Sequence, residues 1–264
     1  MVKGWIQDYQ RLTPVDYPFL GDPDASARAL GSLVAHRVDA SERDARMRRS
    51  AEMHLETRAA WRCEAGRVRR DSGPVRPAAL AAAIWEALDG AAYCLANDSS
   101  HGWARRLWDI RHRCQHLGES GGGGLGYGLG AAAGAALALR GQDMIVVDIQ
   151  ADGDLLYTPA ALWTIAKYTL PMLVVMDNNR SYFNSQNHAR TVAAYRSRPT
   201  ANWGVGTMIE GPPIDFSGMA RSFGVWGEGP VETAAGLPAA LRRALDVVRS
   251  GRPALVDVLT AGAV

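Results

Sequence analysis

Cysteine is scarce and unpaired in this sequence. Cys63, Cys94 and Cys114 are odd in number and form no CxxC spacing, which argues against a disulfide framework or a cysteine zinc site and leaves structural thiols. Long apolar runs are missing as well. Nothing approaches the roughly 20 residues that a membrane span needs, and the opening MVKGWIQDYQ lacks an apolar signal core. The expectation is a cytoplasmic protein without a membrane partner. An excess of one charge is absent too, the formal net charge being +2, so there is no electrostatic case for nucleic acid. Lysine occurs only at Lys3 and Lys167. With abundant Ala and Gly, this reads as compositional bias and not as a binding surface. No internal repeat is visible.

What is present suits a sizeable core: 264 residues, 47% of them hydrophobic. Residues 41–70 mix both charge signs in a pattern that describes a solvated helix, and Gly73 and Pro74 mark a linker over 71–76. From Pro77 onward the pattern alternates as βαβ units do. Helices are expected at 77–89, 124–140, 159–168, 217–223 and 234–249. Strands are expected at 93–96, 144–149, 172–177, near Val225 and at 254–259. The runs MIVVDI and LVVM are continuous instead of alternating, which suits strands covered on both faces. The fold class that follows is α/β, a doubly wound parallel sheet with helices on both faces.

Two of these strands end in oxygen-bearing side chains. Asp152 follows the run ending at Ile149, and Asn178 and Asn179 follow the run ending at Asp177. Ligands of open α/β sheets collect at the carboxyl ends of strands, and a carboxylate with an amide oxygen suits a hard cation such as Mg²⁺. Asp, Asn and Gly also dominate ordinary turns for backbone reasons, so the pair alone leaves both readings open. The segment Gly118–Gly130 contains GxGxxG at Gly121, Gly123 and Gly126. A dinucleotide fingerprint must follow a strand directly, whereas the polar DIRHRCQHLGES precedes this one. The remaining readings there are a flexible loop or a close-approach turn.

The stretch ADGDLLYTPAALWTIAKYTLPMLVVMDNNRSYFN over 151–184 resembles the cofactor loop, GDG…NN, of the thiamine diphosphate enzymes that include acetolactate synthase and benzoylformate decarboxylase. The resemblance implies Mg²⁺ held by Asp152, Asn179 and the backbone carbonyl of Ser181. One residue departs from the pattern, Ala151 standing where the family has glycine; its methyl crowds the cofactor if the position takes positive φ. The glycine-rich segment is similar to the family turn that enters a small-residue helix. There Leu125 is implied as the wedge that bends the cofactor, and the Gly123 carbonyl as acceptor for the pyrimidine amino group. Asn97, Ser99, Ser100 and His101 match the loop that holds the diphosphate, although a plain helix cap explains them nearly as well. Gly153, the backbone amide of Asp154 and Tyr182 complete the implied cofactor contacts, with the Asp154 side chain expected in solvent. The loop expected over 182–206, with Asn184, Gln186, His188 and Trp203, is implied to line the approach. His112, His116 and His188 sit in polar company and read as surface residues.

The resemblance covers 77–264 strongly and residues 1–40 moderately, the latter resembling the tail of a middle domain. The implied reaction is decarboxylation of a 2-oxo acid, with transfer of the remaining fragment to a second carbonyl as in acetolactate synthase; simple decarboxylation and a non-catalytic scaffold are the alternatives. No catalytic residue is expected in this chain. The glutamate that activates the pyrimidine belongs, in the family, to another domain, so a second subunit carrying that domain is implied, in a heterotetramer.

Overall fold

The structure is a computed structural model that describes residues 2–3, 16–70, 72–118 and 123–261. Gly121 of the GxGxxG match, Asp71 of the linker and most of the first fifteen residues lie outside the described residues. The chain divides into two compact units, 1–57 and 58–264.

In the first unit β1 (Val2–Lys3) pairs in parallel with β2 (Phe19–Leu20). Helix α1 (Pro23–Ala35) starts where Asp22 accepts a hydrogen bond from the Ala25 amide at 2.7 Å, with proline in its first turn. Helix α2 (Ala40–Val68) carries mixed charges, including the Glu42–Arg46 pair one turn apart, and buries only Ala65 and Val68.

Ala65, Val68 and Val75 belong to the core of the second unit, and Val75 bridges Thr260 in parallel fashion. The boundary expected at Pro77 therefore shifts back to Arg58.

The second unit is a five-stranded sheet of β3 (Tyr93–Asp98), β4 (Ile145–Ala151), β5 (Met172–Asn178), β6 (Trp226–Val231) and β7 (Ala254–Leu259), in the order β3-β4-β5-β7-β6 and parallel throughout. Alternate residues of each central strand feed opposite cores. Val147, Ile149, Leu173 and Val175 pack with α3 (Pro77–Leu88), α4 (Trp103–Leu107) and α10 (Leu237–Arg249). Val146, Met172, Val174 and Met176 pack with α5 (Tyr127–Ala138), α6 (Asp152–Tyr157), α7 (Ala161–Lys167) and α9 (Phe216–Ser222). That two-sided burial is why the strand sequences are continuously apolar. Trp108 anchors the first core, stacking on Trp85 and donating its indole N–H to the Ala81 carbonyl at 2.8 Å.

The expected helices and strands from 77 onward are present with ends shifted by a few residues. Among the described residues, three α-helices were not expected: α4, α6, and α8 (Phe183–Tyr195). The last of these occupies about half of what reads as a loop. Among the described residues no helix is long and apolar enough to cross a membrane.

Candidate active site

The carboxyl ends of β3, β4 and β5 open into one cavity of about 450 Å³. Asn97 and Asp98 reach it from β3, Ala151 and Asp152 from β4, Asp177 and Asn179 from β5, and Gly123 to Leu125 face it from the turn before α5. Parallel strands with crossover helices leave this end of the sheet free, which is why the site forms there.

Asp152 and Asn179 converge on Ser181. The Ser181 amide donates to Asp152 Oδ2 at 3.2 Å and to Asn179 Oδ1 at 2.9 Å, and its hydroxyl donates to Asn179 Oδ1 at 3.0 Å. Between them Arg180 takes φ +56, an unusual backbone conformation for a residue with a side chain. The turn is held in place by the Tyr182 amide on the Thr207 carbonyl (2.8 Å) and the Ile209 amide on the Arg180 carbonyl (2.7 Å). Burial pushes the Asp152 carboxyl up to about 7, even though the Gly153 amide donates to it at 2.7 Å. Asp177 is pushed up to about 7 by its own burial, against the hydrogen bond from Thr260. A site that buries carboxylates this way attracts a cation. The donor set is a carboxylate and an amide oxygen, two hard oxygens, which fits Mg²⁺ with phosphate oxygens filling the rest of the shell.

Opposite this turn the backbone is open. Gly123 takes φ +62, and a Cβ on Gly123 or Gly124 would meet nothing within 4 Å among the described residues, so a flat ligand can approach the main chain closely. Leu125 is 53% exposed on the cavity side. Ala151 takes φ −71 and ψ 144, ordinary extended backbone, so its methyl brings no strain. At Gly153 glycine is required, because a Cβ would lie 2.4 Å from the Tyr182 ring.

The other expected residues divide. Ser99, His101 and Tyr182 line the cavity. His101 takes φ +54, with Nε2 3.7 Å from Asp177 Oδ2 and its ring edge-on to Phe183; burial lowers its pKa. Asn97 borders the cavity but turns its amide inward, donating to Asp148 Oδ1 (2.9 Å) and the Ile149 carbonyl (3.0 Å). Ser100 is outside the lining: it is fully buried, donates to Asp98 and accepts from the Ala104 amide. Asp154 is not directed into solvent. Its carboxylate accepts from the amides of Gly126 (2.6 Å) and Gly128 (3.3 Å) and from Gln150 Nε2 (2.6 Å). Of the four residues expected on the approach, Asn184 lines the cavity. Gln186 is buried against Met208, His188 is exposed on α8, and Trp203 packs with Arg190. His116 is half-buried, accepting from the Gly118 amide at 3.1 Å.

Asp98 of the 97–101 loop and Phe183 of the expected approach loop also border the cavity, as do Arg105 and Asp177, which no sequence motif singles out. The signal for Asp177 was its place just before the Asn pair at a strand end. Arg105 lies on α4, which has too few residues to show a helical period.

A parallel α/β sheet with hard oxygen donors and an open glycine turn at its strand ends defines a phosphate-cofactor domain. Residues 99–258 match the family described as "Thiamine pyrophosphate enzyme, C-terminal TPP binding domain", and the chain belongs to it. Among solved structures it is similar to the thiamine diphosphate-dependent 4-hydroxybenzoylformate decarboxylase of Rhodococcus jostii RHA1, at 28% identity and TM-score 0.59, over 73% of this chain and 34% of that one. It is also similar to benzoylformate decarboxylase from Polynucleobacter necessarius, at 20% identity and TM-score 0.59, over 74% of this chain and 35% of that one; the second likeness speaks for the fold alone. The chain thus spans about a third of the length of these structures.

Proposed function

We propose that this chain is the cofactor-binding subunit of a thiamine diphosphate- and Mg²⁺-dependent enzyme that decarboxylates a 2-oxo acid. The observation that carries the reading is the convergence of Asp152, Asn179 and Ser181 on one point at the strand ends, across a cavity from the glycine turn. Asp152 and Asn179, with the Ser181 carbonyl, would hold the metal. Ser99, His101 and the Gly153 and Asp154 amides would hold the diphosphate, and Leu125 would support the rings. When bound, the cofactor supplies the electron sink for loss of CO₂. The task of the chain is positioning: it fixes the diphosphate, excludes water from the buried face and presents an open backbone carbonyl at Gly123.

The cavity lining contains no glutamate among the described residues, so the carboxylate that activates the pyrimidine comes, in this reading, from a second subunit with the pyrimidine-binding domain. The exposed Phe19, Leu20, Leu30 and Leu33 of the first unit support such a partner, since apolar surface of this kind favours burial against protein. A heterotetramer is the symmetric form this would take. The name of the Rhodococcus relative favours decarboxylation. Transfer to a second carbonyl, as in acetolactate synthase, is the finer outcome that product analysis decides. The test is calorimetric titration of the chain with thiamine diphosphate in the presence and absence of Mg²⁺. Metal-dependent binding is expected, and no binding under saturating Mg²⁺ would overturn the reading.

A further inference from the structure

The residue after Gly153, Asp154, borders the cavity, and the partners of its carboxylate are unusual for a helix start. An acidic residue in the first turn of a helix needs no explanation beyond the helix dipole. The dipole does not account for three hydrogen bonds that leave the helix. Asp154 Oδ1 accepts from the Gly126 amide at 2.6 Å, and Oδ2 from the Gly128 amide at 3.3 Å and from Gln150 Nε2 at 2.6 Å. Gln150 is fully buried on β4, so the carboxylate is itself held by the sheet. Hydrogen bonds to an ionised acceptor are about twice as strong as neutral ones.

One helical turn further on, the Thr158 hydroxyl donates to the Gly126 carbonyl at 2.9 Å. Gly126 is therefore gripped at both its N–H and its C=O by two residues four apart, at the two ends of the same short helix. Steric contact closes the grip: Gly126 takes φ +87, and a Cβ there would lie 2.8 Å from Thr158 Cγ2. Gly128 is pressed as tightly, its missing Cβ falling 2.5 Å from both Asn97 Nδ2 and Gln150 Oε1. Asp154 thus holds the peptide that joins Leu125 to Gly126, Thr158 holds the next one, and the helix that Asp154 belongs to begins at Asp152.

We propose that Asp154, with Thr158, is a positioning residue that locks the glycine turn bearing Leu125 to the Asp152–Gly153 segment, so that the metal–diphosphate end and the ring end of the site are set together. The role given to Leu125 rests on the function proposed above; the lock itself rests only on the contacts described. Binding at Asp152 and Gly153 then stiffens the turn at 123–126, and a stiff turn lowers the cost of holding the bound rings in one geometry. An acid suits this position because its two oxygens can accept from all three N–H donors at once.

Amide hydrogen exchange of the full chain, read by mass spectrometry over 123–130, tests the lock. Without cofactor, Asp154→Ala and Asp154→Asn should each speed exchange in this segment about tenfold, the size expected for losing a charge-assisted hydrogen bond. Asparagine fails because its amide would face the Gly128 and Gln150 donors. Thr158→Val, which keeps the shape, should give a smaller acceleration. Exchange in β4 and β5 should not change. With thiamine diphosphate and Mg²⁺ added, exchange over 123–130 should slow in the wild type and no longer do so in Asp154→Ala. Unchanged exchange over 123–130 in the Asp154 variants would overturn the proposal, as would acceleration spread equally over the sheet strands. If Asp154→Ala does not fold, Asp154→Asn and Thr158→Val decide the outcome. If the wild type binds no cofactor, the functional reading fails while the cofactor-free comparison still judges the lock.

Discussion

Asp152 carries the greatest chemical weight of any single residue in the chain. It is buried, it is pushed up to about 7 by that burial, and Asn179 comes close to it through the shared Ser181 amide. Asp152→Ala should abolish Mg²⁺-dependent binding of thiamine diphosphate, because the diphosphate then loses its counterion bridge to the protein. Calorimetry checks this, and retained metal-dependent affinity would remove Asp152 from the site. Asp148 makes a different prediction. It is fully buried, one oxygen accepts from Asn97 at 2.9 Å, and the other has no hydrogen-bond partner among the described residues. Burial, with a smaller contribution from Asp154, raises its pKa to about 7, above the ordinary carboxylate value of about 4. Between those values the folded state keeps a proton that the unfolded chain has released, so this stabilisation is full below about pH 4 and is lost as pH rises through about 7. Asp148→Asn keeps an acceptor for Asn97 and removes the titration. Urea midpoints across this range should fall less steeply with pH in the variant; an unchanged slope would show that the carboxyl is ionised throughout.

At the scale of elements, the glycine turn and the strand ends set the geometry. Leu125→Ala should leave the melting temperature nearly unchanged, since the side chain is 53% exposed. In the reconstituted enzyme it should lower turnover by up to about 100-fold, because reacting groups tolerate little misplacement. Equal rates would make Leu125 an ordinary surface residue. Gly128→Ala acts on stability: its Cβ would fall 2.5 Å from Asn97 and Gln150, both buried, and such overpacking costs about 1–3 kcal/mol, readable as a lower urea midpoint. The central strands could be read from the sequence because burial on both faces writes itself as continuous apolar runs, as in Ile145–Val147 and Leu173–Met176. Asp152 and Asn179 were legible because strand ends collect ligands. Helix α8 was hidden: NSQNHAR is polar, and Gln186 is its one buried residue, so no apolar period marks it. The engagement of Asp154 was hidden for another reason. Its partners are the backbone amides of Gly126 and Gly128, and a contact with backbone 26–28 residues away leaves no trace in side-chain pattern.

At the scale of the whole molecule, the cavity lies beside exposed apolar and aromatic side chains. Arg105 and His101 lie within ion-pair distance of Asp98 and Asp177, which arranges charge for the phosphate end. At the ring end Leu125, Tyr127 and Tyr157 are exposed. Uncovered, that end admits water, which weakens every electrostatic interaction inside a site. The split of tasks proposed for the enzyme follows from this contrast, with the metal and diphosphate held here and the activating glutamate brought by another chain. The isolated chain should therefore bind thiamine diphosphate with Mg²⁺ yet release no CO₂ from a 2-oxo acid. Adding a pyrimidine-domain subunit should bring turnover and, in the same titration, a rise in molar mass by light scattering to that of a mixed assembly. Because binding and catalysis are separate readouts, the two parts of the reading fail separately. Robust turnover by the chain alone would remove the need for a partner and leave the cofactor site standing, whereas binding that does not depend on Mg²⁺ would remove the metal site and leave the question of the partner intact.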